Sequence, residues 1–281
     1  MLTVMSTRTN TSPFQHKKSL GQNFLTSPVV PGWMCDAARI TTGDRVIEIG
    51  PGTGALTTEL LARGAEVTAF ETDERAITVL QSTCIDAINT KKLLVHHTDV
   101  REQPLDSLFD TTKPYKVVAN IPYYLSGFLL RTVLELPNPP SLVVFLMQKE
   151  VVHRITRDEK SSLLSLSVEV YGQPSYVRTV SRGHFHPAPA VDSAILLVDH
   201  ISHTNFATIE EREAFFTHIH QGLGQKRKQL LGTLAKTYDR EVLLPLFLEL
   251  DLLPTVRGED ISLTTWLRLS KALRVIPQMS T

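Results

Sequence analysis

From about residue 40 to residue 120, short apolar runs alternate with helical segments, and this limits the chain to a parallel sheet covered on both faces. Arg45-Val46-Ile47-Glu48-Ile49 is a β-branched run that stops at glycines, which predicts a buried strand. A helix over 55–63 follows, then a second strand at Glu66-Val67-Thr68-Ala69-Phe70. The pattern continues with a helix over 74–88, a third strand at Lys92-Leu93-Leu94-Val95-His96, a fourth over 116–119 and a fifth over 141–147. After residue 150 the pattern changes. Segments 148–156 and 161–170 read as helices, while Tyr176-Val177-Arg178-Thr179-Val180 and the run from Ala194 to Val198 read as strands able to pair as an antiparallel edge. Beyond residue 204 the chain reads as all-helical. Thr208 and Glu211 have capping-box spacing, and apolar residues recur at helical intervals through 214–223, 242–253 and 263–273. The expected organisation is a flexible tail over 1–16, an α/β domain over 17–202 and a small helical domain over 203–281.

Several function classes are excluded early. Lys and Arg number 29 against 29 Asp and Glu, so a nucleic-acid partner would have to be held by local basic patches. Cys35 and Cys84 are far apart, without CxxC spacing, and read as buried reduced thiols of a cytosolic protein. No apolar run approaches the roughly 18 residues of a membrane span, and no signal-peptide core follows the start. His184 with His186, and His218 with His220, are spaced i,i+2, which points them apart on a helix. Without an HExxH motif or a Cys/His cluster, no metal is expected. A GxSxG elbow and a Walker loop are also missing.

The candidate site residues sit where strands end. Glu48-Ile49-Gly50-Pro51-Gly52-Thr53-Gly54 closes the first strand and opens a helix. Gly50, Gly52 and Gly54 let the backbone turn tightly and approach a ligand, and the helix start offers amide donors. Glu71 ends the second strand about 20 residues on, where an acid accepts from ribose hydroxyls. Asp73 reads as the N-cap of the next helix. Asp99 follows the third strand and can accept from an exocyclic amine. Acids at successive carboxyl ends of parallel strands, beside a glycine turn, favour a nucleoside-containing cofactor. Asn120-Ile121-Pro122-Tyr123 then combines an amide, a rigid proline and an aromatic at the end of the fourth strand. That set can hold a planar group carrying an NH2, such as adenine. Asn and Pro also favour plain turns, so these four residues alone leave both readings open.

With the glycine turn, Glu71 and Asp99 in place, the chain resembles class I S-adenosylmethionine-dependent methyltransferases. Adding Asn120-Ile121-Pro122-Tyr123 makes it resemble the ribosomal RNA adenine N6-dimethyltransferases. The 17–25 segment Lys-Lys-Ser-Leu-Gly-Gln-Asn-Phe-Leu, the run Met147-Gln148-Lys149-Glu150-Val151 and the 185–194 segment Phe-His-Pro-Ala-Pro-Ala-Val-Asp-Ser-Ala match in order. The match runs from about 17 to 200 and continues more loosely to the end. It implies a Rossmann-like fold with a mostly parallel sheet and an antiparallel last strand. It further implies S-adenosylmethionine as methyl donor, with S-adenosylhomocysteine as product. Gln22, Asn23, Leu25 and Val100 would join Gly50, Gly52, Gly54, Glu71, Asp99 and Asn120 around that donor.

The long 17–25 segment and the helical tail resemble the small-subunit (16S) type more than enzymes acting on large-subunit rRNA. That type implies two adjacent adenosines in a hairpin loop near the 3′ end of small-subunit rRNA, each receiving two methyl groups. It also implies an immature 30S subunit as partner, and a monomer in the cytoplasm. The resemblance makes Asn120, Pro122 and Tyr123 the catalytic set, with Phe185 closing the other face of the target base; read without it, Phe185 is a core aromatic. Lys17, Lys18, Lys226, Arg227 and Lys228 are candidate phosphate contacts, with Arg178 and Arg182 extending a basic path toward Phe185. Glu210, Glu211 and Glu213 make that surface patchy.

Overall fold

The structure is a computed structural model and describes residues 23–102, 105–225 and 227–279. Lys17, Lys18, Gln22 and Lys226, with the predicted tail, lie outside the described residues. The elements run β1 (Phe24–Leu25), α1 (Val29–Ala37), β2 (Arg45–Ile49), α2 (Ala55–Ala62), β3 (Glu66–Glu71), α3 (Glu74–Thr83), α4 (Ile85–Asn89), β4 (Leu93–His97), α5 (Leu105–Leu108) and β5 (Lys116–Asn120). They continue with α6 (Ser126–Leu134), β6 (Leu142–Gln148), α7 (Lys149–Thr156), α8 (Leu163–Glu169), β7 (Gln173–Val180), β8 (Phe185–His186) and β9 (Ser193–Asp199). The helical segment comprises α9 (Ile209–Leu223), α10 (Leu230–Leu234), α11 (Arg240–Glu249) and α12 (Leu263–Leu273).

Seven strands form one sheet in the order β4-β3-β2-β5-β6-β9-β7. The first five are parallel, and β9 runs antiparallel to both β6 and β7. The two late strands thus pair with each other as expected and close the far edge. The interior strand β6 is buried at Leu142 through Met147, the continuous apolar run that a strand covered on both faces requires. Alternation divides the neighbouring strands between two cores. Ile47, Ile49, Phe70, Val117 and Ala119 face one, and Val46, Val67, Ala69 and Val118 face the other. The second core is closed by Val30, Met34, Leu56, Leu60 and Leu80 from α1, α2 and α3.

The first core takes in Leu129, Leu130, Val152 and Leu166 and runs without a break into Phe215, Ile219, Leu234, Phe247 and Trp266 of the helical segment. Trp266 is fully buried and its indole N–H donates to the Gly258 carbonyl at 3.1 Å. His218 sits between the Ser270 hydroxyl (2.9 Å) and the Tyr238 hydroxyl (2.8 Å), and burial lowers its pKa to about 4, so it is neutral in the fold.

Several elements differ from expectation. The helix predicted over 74–88 breaks at Cys84 into α3 and α4. The Ser82 and Thr83 hydroxyls both donate back to the Val79 carbonyl, which loosens the ladder just before the break. The helix expected to reach residue 253 ends at Glu249 and contains Pro245. Thr208 caps α9 by accepting from the Glu211 N–H, but the Glu211 carboxylate accepts from Ala207 rather than from Thr208, so the reciprocal box is not made. A small two-stranded sheet, β1 with β8, was not foreseen; it pairs Phe24 with His186 and Leu25 with Phe185. That pairing seats the segment before the main sheet against the carboxyl ends of its strands.

Candidate active site

A cavity of about 610 Å³ opens at the carboxyl ends of β2, β3, β4 and β5, the end at which open α/β sheets bind ligands. Its size is that of a pocket for one small organic molecule. Gly50 and Gly52 line it with positive φ (70° and 56°), in the left-handed region that favours glycine. A Cβ on Gly52 would come within 2.9 Å of the Phe24 ring. The glycine turn is therefore held down by an aromatic from β1.

Glu71 is buried and tied to the backbone on both sides. Its Oε2 accepts from the Gly52 N–H at 3.0 Å, and its Oε1 accepts from Thr72 (2.8 Å) and Asp73 (2.9 Å). It joins the turn after β2 to the turn after β3, a structural role beyond the ribose contact expected of it. Asp73 caps α3 by accepting from the Arg75 N–H, as expected.

Glu48, at the floor, is fully buried and accepts from the Thr57 hydroxyl at 2.7 Å. Burial, with Glu71 nearby, pushes its carboxyl up to about 8, so it is protonated at neutral pH. On the opposite wall, hydrogen bonds from Arg101 hold Asp99 below the usual carboxylate range. The Arg101 Nε donates to both carboxylate oxygens at 3.0 Å. An amine reaching Asp99 would share that carboxylate with the guanidinium.

At the far end, Asn120 ends β5 and its Nδ2 donates to the Asn23 carbonyl at 3.3 Å. Ile121 and Pro122 carry the chain into a 3-10 turn over Tyr123–Leu125, closed by the Leu125 N–H donating to the Pro122 carbonyl at 2.9 Å. The Tyr123 hydroxyl pairs with the buried Ser193 hydroxyl at 2.7 Å. The segment makes the turn that the sequence left open, and all four of its residues also line the cavity.

Asn23, Leu25, Gly50, Gly52, Glu71, Asp99, Val100, Asn120, Pro122 and Tyr123 all line the one cavity. Two of the expected cofactor and catalytic residues do not. Gly54 caps α2 at φ 88°, where a Cβ would meet Leu80 at 2.7 Å, so it serves helix packing rather than the cavity wall. Phe185 is 4% exposed, lies in the second core and pairs with Leu25 across β1 and β8. Here it is a core aromatic that braces the cavity rim, not a ring facing into it. Arg227 and Lys228 are exposed between α9 and α10 and do not line the cavity. Arg178 lays its guanidinium over the Trp33 ring at 4.3 Å, and the Arg182 N–H donates to Asp192. Thr57 and Arg101 stood outside the sequence reading, while Phe24, Glu48 and Ser193 stood inside its motifs without a role of their own. Of the two outside it, Arg101 carried a local signal, two residues from Asp99.

No group of three or more metal-ligating side chains occurs among the described residues, and none of their helices is long and apolar enough to cross a membrane.

A family profile described as "Ribosomal RNA adenine dimethylase" matches residues 13–274. Ribosomal RNA small subunit methyltransferase A of Dehalococcoides mccartyi (strain CBDB1) is 37% identical over 256 residues, covering 90% of this chain and 87% of its own length. The protein of the same description from Streptococcus thermophilus (strain CNRZ 1066) is 37% identical over 273 residues, covering 93% of each. Among solved structures, a dimethyladenosine transferase from Plasmodium falciparum shares the fold with a TM-score of 0.75 at 23% identity, covering 89% of this chain and 97% of that one. The 23S rRNA methyltransferase ErmE shares it at 0.68 and 23% identity, covering 90% and 100%.

Proposed function

The chain belongs to the ribosomal RNA adenine dimethylase family and is a methyltransferase, and on that premise we propose that it dimethylates N6 of two adjacent adenosines in a hairpin loop near the 3′ end of small-subunit rRNA. The observation that carries this reading is one cavity holding the glycine turn and Glu71 at one end and Asn120 with Tyr123 at the other. The proposed donor is S-adenosylmethionine, and the residues present fit it. The open backbone at Gly50 and the acids Glu71 and Asp99 suit a nucleoside with an amino-acid arm. The proposed partner is an immature small subunit, met by a monomer in the cytoplasm. The 36–37% identity to proteins described as small-subunit methyltransferases supports this substrate over large-subunit rRNA.

When bound, the sulfonium cofactor supplies an already activated methyl group. The chain's task is then to aim the adenine amine. Asn120 is steered by the Asn23 carbonyl, which occupies its amide nitrogen and leaves the amide oxygen, the acceptor end of the same planar group, for N6–H. A second acceptor is the Ile121 or Pro122 carbonyl; with both N6 hydrogens held, the nitrogen lone pair is directed along one line. As N6 gains positive charge these acceptors bind it more strongly, which stabilises the transition state. Tyr123, pinned through Ser193, offers its ring to stack on the base. No strong general base is required, because the product ammonium can lose its proton to water. The target lies in a loop, so swinging it out costs only a few kcal/mol, which stacking of about 1–3 kcal/mol per base partly offsets.

The test is tritiated-methyl transfer to small subunits from cells lacking the modification, followed by nucleoside analysis of both rRNAs. Dimethyladenosine at two adjacent small-subunit positions is expected. Label confined to large-subunit rRNA, or no dimethyladenosine at all, overturns the proposal.

A further inference from the structure

Immediately after the Asn120 to Tyr123 segment, two aromatic rings face solvent where the fold has no need of them. Tyr124 is 62% exposed and Phe128 is 51% exposed. Tyr124 lies in the 3-10 turn and Phe128 four residues on in the first turn of α6, so the two exposed rings follow closely on one another along the chain. Their neighbours supply the anchorage: Leu129, Leu130 and Val133 are buried in the first core and Leu125 packs against it. The segment is further fastened by the Ser126 hydroxyl donating to the Tyr123 carbonyl at 2.7 Å. Tyr124 and Phe128 are thus held on a rigid mount without themselves filling the core.

Their position says what they meet. Tyr124 lines the same cavity as Tyr123 and Asn120, so its ring stands at the mouth through which a nucleotide reaches the amide. A nucleotide drawn into that cavity loses its stacking partners, and the bases beside it on the strand lose one of theirs. Aromatic rings replace such partners for any base, because every base has a π-face. Resting on the reading of the cavity as a site for an RNA adenosine, we propose that Tyr124 and Phe128 form a stacking ledge that holds the unpaired base adjoining the methylated adenosine. Tyr124 takes the adjoining base and Phe128 extends the ledge away from the cavity. The ledge acts on register, deciding which of two neighbouring adenosines enters.

The test compares wild-type protein with Tyr124→Ala, Phe128→Ala and Tyr124→Phe on small subunits lacking the modification, measuring kcat, KM for the subunit and Kd for S-adenosylmethionine by titration calorimetry. Tyr124→Ala should raise KM about tenfold, the loss of one stacked base, and Phe128→Ala should raise it by a smaller factor. Cofactor Kd and thermal midpoint should be unchanged in both. Tyr124→Phe keeps the ring and should restore KM. A Tyr124→Ala enzyme with wild-type KM overturns the ledge, as does a Tyr124→Phe enzyme as impaired as the alanine variant, since the hydroxyl would then be the active part. Failure of wild-type protein to methylate small subunits overturns the underlying reading and the ledge with it, and is read from the wild-type arm alone.

Discussion

Replacing Glu48 by Gln tests whether a neutral acid lies under the cofactor cavity. The Glu48 carboxyl is fully buried, accepts one hydrogen bond from Thr57, and has its pKa pushed from 4.5 to about 8 by burial, with Glu71 adding to the effect. Between those two values the folded protein keeps a proton that the unfolded chain releases. Stability is therefore full below pH 4.5, falls as pH rises through the window, and levels off above 8. The slope is about 1.4 kcal/mol per pH unit for one proton. From pH 5 to 7.5 the loss sums to about 3 kcal/mol.

Glu48→Gln cannot ionise and should escape this loss. Its amide brings a second N–H hydrogen that can shift its stability by about 1–3 kcal/mol at every pH, so the decisive quantity is the pH dependence of the difference between variant and wild type. Urea unfolding of both proteins without added methyl donor, at half-unit steps from pH 5 to pH 8, measures it. The variant should gain on wild type steadily across that range. A difference that does not change with pH, or that shrinks as pH rises, would refute the neutral carboxyl.

Other expectations follow from the same geometry. Asn120→Ala should abolish most methyl transfer while leaving the calorimetric affinity for S-adenosylmethionine within about twofold, because only the amide that aims the substrate amine is lost. Glu71→Ala should instead weaken cofactor binding and destabilise the protein by about 2–4 kcal/mol, since three backbone N–H groups lose their acceptor; equal behaviour of the two variants in a paired calorimetry and turnover assay would contradict this division. Gly52→Ala should cost about 1–2 kcal/mol for its positive φ and displace Phe24, lowering cofactor affinity, as titration of the folded variant would show. Ser193→Ala removes the partner of the Tyr123 hydroxyl, a loss of about 1 kcal/mol, and should reduce kcat/KM for subunits several-fold with cofactor Kd unchanged.

Much of this site was legible in the sequence because its residues sit at strand ends, where periodicity reports both the strand and its terminus. Gly50, Glu71 and Asn120 sit at such ends, and the sheet around them has its parallel strands at the predicted places. What was not legible depends on contacts between distant segments. Phe24 packs against Gly52, Ser193 meets Tyr123, and Phe185 turns inward through its pairing with Leu25. None of these leaves a trace in spacing. Glu71 is instructive: an acid at that position suggested a ligand, but its partners in the fold are backbone N–H groups, which every sequence supplies alike. Helix α6 went unpredicted although Leu125, Leu129, Leu130 and Val133 have helical spacing, because it opens on Ser126-Gly127 directly after a proline turn and has no side-chain cap.

The unbroken core beneath the sheet and the helical segment bears on how a large substrate can be handled. Phe215 and Phe216 of α9 pack in the same cluster as Leu130 and Val133 of α6, and Arg131 lays its guanidinium over Phe216 at 4.5 Å. Helix α6 is also the element that follows directly on Tyr123. The helical segment is therefore joined by continuous side-chain packing to the helix that leads away from the Asn120–Tyr123 segment. Shifting one relative to the other would mean opening a close-packed core, so the cavity and the helical segment form one packed unit.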